Sequence, residues 1–232
     1  MTETHWMDHP RYKDVVESDG DFNPDRFWEY GKWGYRLADG VEQFDHLVSY
    51  GLEPHHYLLD VGCGYLRGGI NFIEYLDTGH YYGFDKDKKQ LDRGEILLKG
   101  KDLIHKNPVV KRVFSTRGIW NFIGRKRKFD YMMAYSVFTH TDPYMTTRLF
   151  TTVVKFLKPE GKFFATFIER RGPKSAEIYI GGPHNSRSDE YKQARYPFSF
   201  FEDLAHKNKM VVEYLDISDD VHHQDWMCFK RK

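Results

Sequence analysis

Four short stretches of this sequence hold residues whose types and spacing suit chemistry. The run LLDVGCGYLRGG, Leu58 to Gly69, puts Asp60 two residues ahead of Gly62 and then adds Gly64, Gly68 and Gly69. A glycine turn directly after an apolar strand lets bare backbone approach a ligand closely. Its spacing does not fit a dinucleotide fingerprint, because Arg67 stands where the third glycine would fall, and it lacks the GK[ST] of a triphosphate loop. Asp85 closes YYGFD and is followed by Lys86; a carboxylate at a strand end can accept two hydrogen bonds from a ribose diol. FDYMMAYSVFTHTD brings Tyr135, Ser136 and His140 to the end of another strand. An imidazole titrates near neutrality, so His140 is the first candidate for a general base. Asp142 either orients His140 or caps the next helix. DDVHHQDW supplies His222 and His223 as further candidate bases; adjacent residues on a strand face opposite sides.

Other features argue against competing chemistries. Twelve histidines invite a metal, but none has the HExxH spacing and the pairs His55–His56 and His222–His223 read as surface residues, so no metal is expected. Cys63 and Cys228 form no CxxC pair, and Cys63 reads as a small packed side chain rather than a nucleophile. A net charge of +1 gives no field that would draw the chain to nucleic acid or to a membrane surface. The cation run Arg125–Lys128 precedes a strand at its amino end and reads as a solvated loop. The polar start, free of any apolar run near the length of a membrane span, and the sparse cysteines point to a cytoplasmic protein; a homodimer is compatible with the sequence.

Strand and helix patterns alternate from Tyr57 onward. Strands are expected at 57–62, 81–85, 109–115, 129–138 and 161–169, and helices at 70–76, 88–99 and 143–158. A helix at 199–209, with Ser199 as its N-cap, precedes two strands with no helical pattern between them. This predicts an α/β fold: a Rossmann-like, seven-stranded, mostly parallel sheet with helices on both faces and an antiparallel terminal hairpin. Arg67 is expected on a helix surface. Residues 1–56, rich in rings such as Phe27, Trp28, Tyr30, Trp33 and Tyr35, read as an N-terminal helical extension or lid on a domain spanning 57–232. Residues of about 170–197 read as a substrate-loop insertion without regular structure. Aromatics reach 17%, and most are expected in the core.

D-V-G-C-G, followed by Asp85 and by AYSVFTH in the family's order, resembles the class I S-adenosylmethionine (SAM) dependent methyltransferases, and the SVFTH wording is similar to the small-molecule and sugar-modifying members. The resemblance implies SAM as cofactor, contacted by Asp60, Gly62, Gly64, Asp85, Lys86, Tyr135 and Ser136. It also implies a residue after the third strand that cradles the adenine. The family's usual acid is missing from STRGIWNF there, so Trp120 or Ile119 would supply an apolar wall, or Trp120 would simply be core. The implied reaction is in-line transfer of a methyl group to an oxygen or nitrogen of a small-molecule or sugar-like metabolite, with His140, His222 or His223 taking the proton. A peptide or protein acceptor, a non-catalytic SAM-binding module and a nicotinamide oxidoreductase are the other readings.

Overall fold

A computed structural model of the chain describes residues 39–171, 179–181, 193–217 and 224–232. Its strands are β1 (Leu58–Val61), β2 (Tyr81–Asp85), β3 (Val109–Arg112), β4 (Phe129–Ala134), β5 (Leu157–Phe167), β6 (Tyr179–Gly181), β7 (Gln193–Arg195), β8 (Met210–Leu215) and β9 (Asp225–Arg231). The described helices are α1 (Asp39–Ser49), α2 (Gly69–Tyr75), α3 (Lys88–Gly100), α4 (Thr116–Ile123), α5 (Pro143–Val153) and α6 (Phe198–Lys207). Seven strands form one mixed, mostly parallel sheet in the order β3-β2-β1-β4-β5-β9-β8, while β6 and β7 pair on their own. The expected fold class is the one observed. Among the described residues no helix is long and apolar enough to cross a membrane.

Contacts divide the chain into two compact units: the described residues up to His55 with Cys63–Arg112, and His56–Gly62 with Val113–Lys232. In the first unit β2 pairs parallel with β3, which sets Asp85 beside Arg112. The rings of Phe44 on α1 and of Phe72 and Tyr75 on α2 meet at 5.6 and 5.2 Å. The Tyr75 hydroxyl donates to the Leu52 carbonyl at 3.1 Å. Residues 39–49 of the expected extension are thus a helix with its own apolar packing. Residues 1–38, with the rings of the expected lid, lie outside the described residues. Helix α3 starts where Asp87 accepts from the Lys89 amide, and it buries Leu97 and Leu98.

In the second unit β1 and β5 flank β4 in parallel, and β9 runs antiparallel between β5 and β8. Its core is a cluster of rings. Phe150 lies 5.8 Å from Phe163 and 4.6 Å from Phe229, and Phe201 lies 5.7 Å from Phe138 and 5.0 Å from Phe167. Each of these side chains is fully buried. Much of the high aromatic content is therefore packing between β4, β5, β9 and the helices beside them.

Several boundaries differ from the sequence reading. The third strand stops at Arg112 because the Ser115 hydroxyl caps α4, accepting from the Gly118 amide at 3.1 Å. Strand β5 begins at Leu157, not at 161: Leu157 pairs with Phe129, and an irregularity before Tyr131 absorbs the exposed Pro159 and Glu160. Helix α6 is preceded by Pro197 at its N-cap, so Ser199 lies inside the helix. The long connection is not wholly irregular. It holds the β6–β7 pair, and after β7 Tyr196 bridges to Glu169.

Tyr196 also anchors α5. Its buried hydroxyl donates to the Thr141 carbonyl at 2.5 Å and lies 3.0 Å from the Thr146 hydroxyl. Burial, with the nearby Asp142 charge adding and the Thr146 hydrogen bond opposing, pushes its phenol up from 10.0 to about 12. Burial likewise pushes the Cys228 thiol up from 9.0 to about 12. Both groups hold their protons more tightly in the folded chain. Their stabilisation is therefore complete below pH 9 and is lost as pH rises towards about 12. Urea denaturation of Tyr196→Phe should show a loss of about 1–3 kcal/mol at pH 7, because two buried groups lose a partner. Above pH 10 its stability should fall less steeply than that of the wild type; an equal fall would show that folding does not raise the pKa of Tyr196.

Candidate functional site

The glycine turn is held by Asp85. In the first unit the Cys63 amide donates to the Phe84 carbonyl at 3.1 Å, and the Gly64 amide donates to Asp85 Oδ2 at 3.0 Å. The Asp87 amide donates to Asp85 Oδ1 at 2.8 Å. Arg112 Nε donates to the Lys86 carbonyl at 3.0 Å, which fixes the backbone just past Asp85. Each Asp85 oxygen thus takes one amide and keeps lone-pair capacity for another donor. The Lys86 side chain is exposed.

The four glycines of the turn divide by task. Gly62 and Gly64 have φ of +74° and +53°, which side chains adopt only at a cost. A Cβ on Gly62 would meet Val137 Cγ2 at 2.6 Å, whereas a Cβ on Gly64 would meet nothing within 4 Å. The open side of the turn is therefore at Gly64, beside Asp85. Gly68 and Gly69 serve packing: a Cβ on Gly68 would lie 2.4 Å from Gln43 Oε1, and one on Gly69 would lie 2.6 Å from the Tyr81 hydroxyl. Arg67 sits half-buried in the turn before α2, not on a helix surface as expected. Cys63 is buried, and a Cβ on Gly83 would sit 3.0 Å from its sulfur, so it is a packed side chain.

In the second unit, Asp60 is buried on β1 and lies opposite Met133 of β4. The chain leaves β4 through Tyr135 and Ser136. The Tyr135 ring lies 5.5 Å from Trp226, and Ser136 takes a left-handed φ of 56°. A short 3-10 turn, Phe138–His140, buries Phe138 and leaves the His140 side chain exposed. Asp142 is the N-cap of α5, accepting from the Met145 amide at 2.8 Å, so its role is that of the helix cap. His222 and His223 lie outside the described residues. Among the described residues no group of three His, Cys, Asp or Glu side chains could hold a metal.

The stretch after β3 is ordered differently from the expectation. Ile119 is buried, and the Trp120 ring rests 4.6 Å from Phe156. Phe156 precedes Leu157, which pairs with the first residue of β4, so this ring lies at the amino end of β4 rather than at its carboxyl end. Trp120 is exposed on α4, with one face of its ring against Phe156, so it is not a core residue. The exposed ring just past β3 is Phe114, which is 76% exposed. A third strand running through residue 115, as the sequence pattern predicts, would have placed this ring inside the strand. The helix-cap pattern at Ser115, followed by Ile119 and Ile123 four residues apart, was the signal that could have ended the strand earlier.

Residues 59–163 match the family model described as a methyltransferase domain. Solved structures with a similar fold include magnesium protoporphyrin IX methyltransferase from Synechocystis, solved with bound SAM, at 12% identity and a TM-score of 0.62, covering 98% of this chain and 94% of that one. An S-adenosylmethionine-dependent methyltransferase from Clostridium acetobutylicum is 13% identical with a TM-score of 0.58, covering 95% and 98%. The glycopeptide N-methyltransferase MtfA, solved with SAM, is 10% identical with a TM-score of 0.64, covering 84% and 95%. The chain has the fold of the SAM-dependent methyltransferases, and the methyltransferase-domain match runs from the middle of β1 into β5.

Proposed function

We propose that the protein is a SAM-dependent methyltransferase that moves a methyl group to an oxygen or nitrogen of a small-molecule or sugar-like metabolite. The observation that carries this reading is the Asp85 carboxylate, held by two backbone amides beside the open face of Gly64. That arrangement fits a nucleoside without phosphates. A ribose diol offers two donors to the lone pairs that Asp85 retains, and the bare backbone of the turn permits close approach. Bound SAM would supply a methyl group on a sulfonium, open to in-line displacement by the acceptor.

The chain's own residues divide the remaining work. Asp85 would fix the ribose, with Gly62, Gly64 and the Lys86 backbone shaping the turn around it. Asp60, Tyr135 and Ser136 are further proposed cofactor contacts. Phe114 replaces Trp120 as the ring proposed to flank the adenine. His140, exposed on its 3-10 turn, would take the proton that the acceptor's hydroxyl or ammonium loses. His222 and His223 are the second choice for that task. What supports a small-molecule acceptor is the SVFTH wording of the turn and the modest length of the chain.

Calorimetric titration with S-adenosylhomocysteine tests the cofactor assignment. Asp85→Ala should weaken binding by about 1.5–3 kcal/mol, the scale of a lost charged hydrogen bond; unchanged affinity would remove Asp85 from the site. His140→Ala should leave that affinity nearly intact. Turnover, followed as S-adenosylhomocysteine released with a pool of hydroxylated and amino metabolites, should fall by about 100-fold or more. Wild-type turnover in His140→Ala would move the base elsewhere.

A further inference from the structure

Half-buried Ser136 and two buried side chains distant from it in sequence, Thr166 and Gln224, close a hydrogen-bonded ring at the turn after β4. The Ser136 amide donates to Thr166 Oγ1 at 2.8 Å, Thr166 Oγ1 donates to Gln224 Oε1 at 2.6 Å, and Gln224 Nε2 donates to Ser136 Oγ at 3.0 Å. The Ser136 hydroxyl also lies 3.2 Å from Thr139 Oγ1. Thr166 is fully buried, and Gln224 is 7% exposed. Each member faces a partner of the right polarity, so the ring is closed and its direction is fixed.

The ring acts where the backbone most needs support. Ser136 has φ 56°, a conformation that disfavours a residue with a side chain. This turn directs the Ser136 amide at Thr166, one residue past the Ala134–Ala165 pairing of β4 with β5. Gln224 stands immediately before β9, and Trp226, on the same face two residues on, carries the Tyr135 ring at 5.5 Å. Asp225 between them points the other way, accepting from the Glu169 amide at 2.9 Å and from Arg171 at 3.0 Å. The start of the last strand therefore grips Tyr135 and Ser136 with one face and the end of β5 with the other.

We infer that Gln224 and Thr166 are positioning residues for the cofactor site: they hold Ser136 in its left-handed conformation and so fix the Tyr135–Ser136 backbone for the ligand. An apolar filling of the same volume could stabilise the fold equally well. What a closed polar ring adds is one backbone conformation at Ser136. This inference rests on the proposal that the chain binds SAM through Tyr135 and Ser136.

The test is calorimetric titration of the full chain with S-adenosylhomocysteine, with thermal unfolding of the same samples. Gln224→Leu and Thr166→Val should each raise the Kd about 10-fold. Their double variant should do little more than either alone, because both open one ring. Thr166→Ser, which keeps the hydroxyl, should bind as the wild type. Thr152→Val is the control: Thr152 is 7% exposed and its hydroxyl donates to the Arg148 carbonyl at 2.7 Å, so its loss should lower Tm and leave Kd unchanged. If Thr166→Val and Gln224→Leu lower Tm but keep the wild-type Kd, the ring is structural only and the inference is overturned. A Gln224→Leu chain that does not fold leaves the Thr166→Val and Thr166→Ser pair to decide. No binding by a folded wild type would instead overturn the SAM reading beneath it.

Discussion

The Asp85 carboxylate, accepting the amides of Gly64 and Asp87, is the constraint on which the candidate site depends. It joins the glycine turn to the end of β2 and the start of α3 with two charge-assisted bonds. The turn itself is a costly shape, with two glycines at positive φ. Without an acceptor in place, the Gly64 amide would have no fixed direction. The same carboxylate that shapes the turn is the group left with capacity for a ribose. In the proposed reading, structure and recognition share one side chain, and a ligand without phosphates needs no lysine or third glycine of the phosphate-binding kind.

The second unit solves a similar problem without charge. The chain must leave β4, turn at Ser136, expose His140 and start α5 within nine residues, Ala134 to Asp142. Hydroxyls and one amide carry that turn: the Ser136–Thr166–Gln224 ring on one side, and Thr141, Thr146 and Tyr196 on the other. Partners for both sets come from late in the chain, from Tyr196 just after β7 and from Gln224 just before β9. The terminal segments therefore complete the turn as well as the sheet. The charged cluster at the opposite end of β4 has a different task. Asp130 accepts from the Tyr57 amide at 2.9 Å and from Lys158 at 2.7 Å. Burial alone would raise its pKa, but these bonds and the Lys158 and His56 charges outweigh it and hold the carboxyl below its usual range. It pins the amino ends of β1 and β4 and lies far along the strand from His140.

Local patterns made the fold legible. The strand YYGFD was bounded correctly because glycine and a terminal acid punctuate an apolar run, and the antiparallel hairpin followed from two strand patterns with no helix between them. Capping hydrogen bonds misled where their residue types are ambiguous. Ser115 reads as a strand residue until its bond to Gly118 is seen, and Ser199 reads as a cap although Pro197 occupies that position. The position of Asp85 was readable because an acid closes the apolar run of β2; there it accepts the Gly64 and Asp87 amides. Gln224 and Thr166 were not, since their contacts with Ser136 span 88 and 30 residues and nothing local marks them. Phe114 was passed over for a related reason: it is a ring in an apolar run, and only the strand's true end shows that it is exposed.

The central claim is that the glycine turn and Asp85 serve a phosphate-free nucleoside. The measurement that tests it most directly is parallel calorimetric titration of the folded chain with S-adenosylhomocysteine and with NADH. The account predicts saturable binding of S-adenosylhomocysteine at one site per chain and no heat of binding for NADH. Binding of NADH with none for S-adenosylhomocysteine would contradict it and return the turn to a dinucleotide.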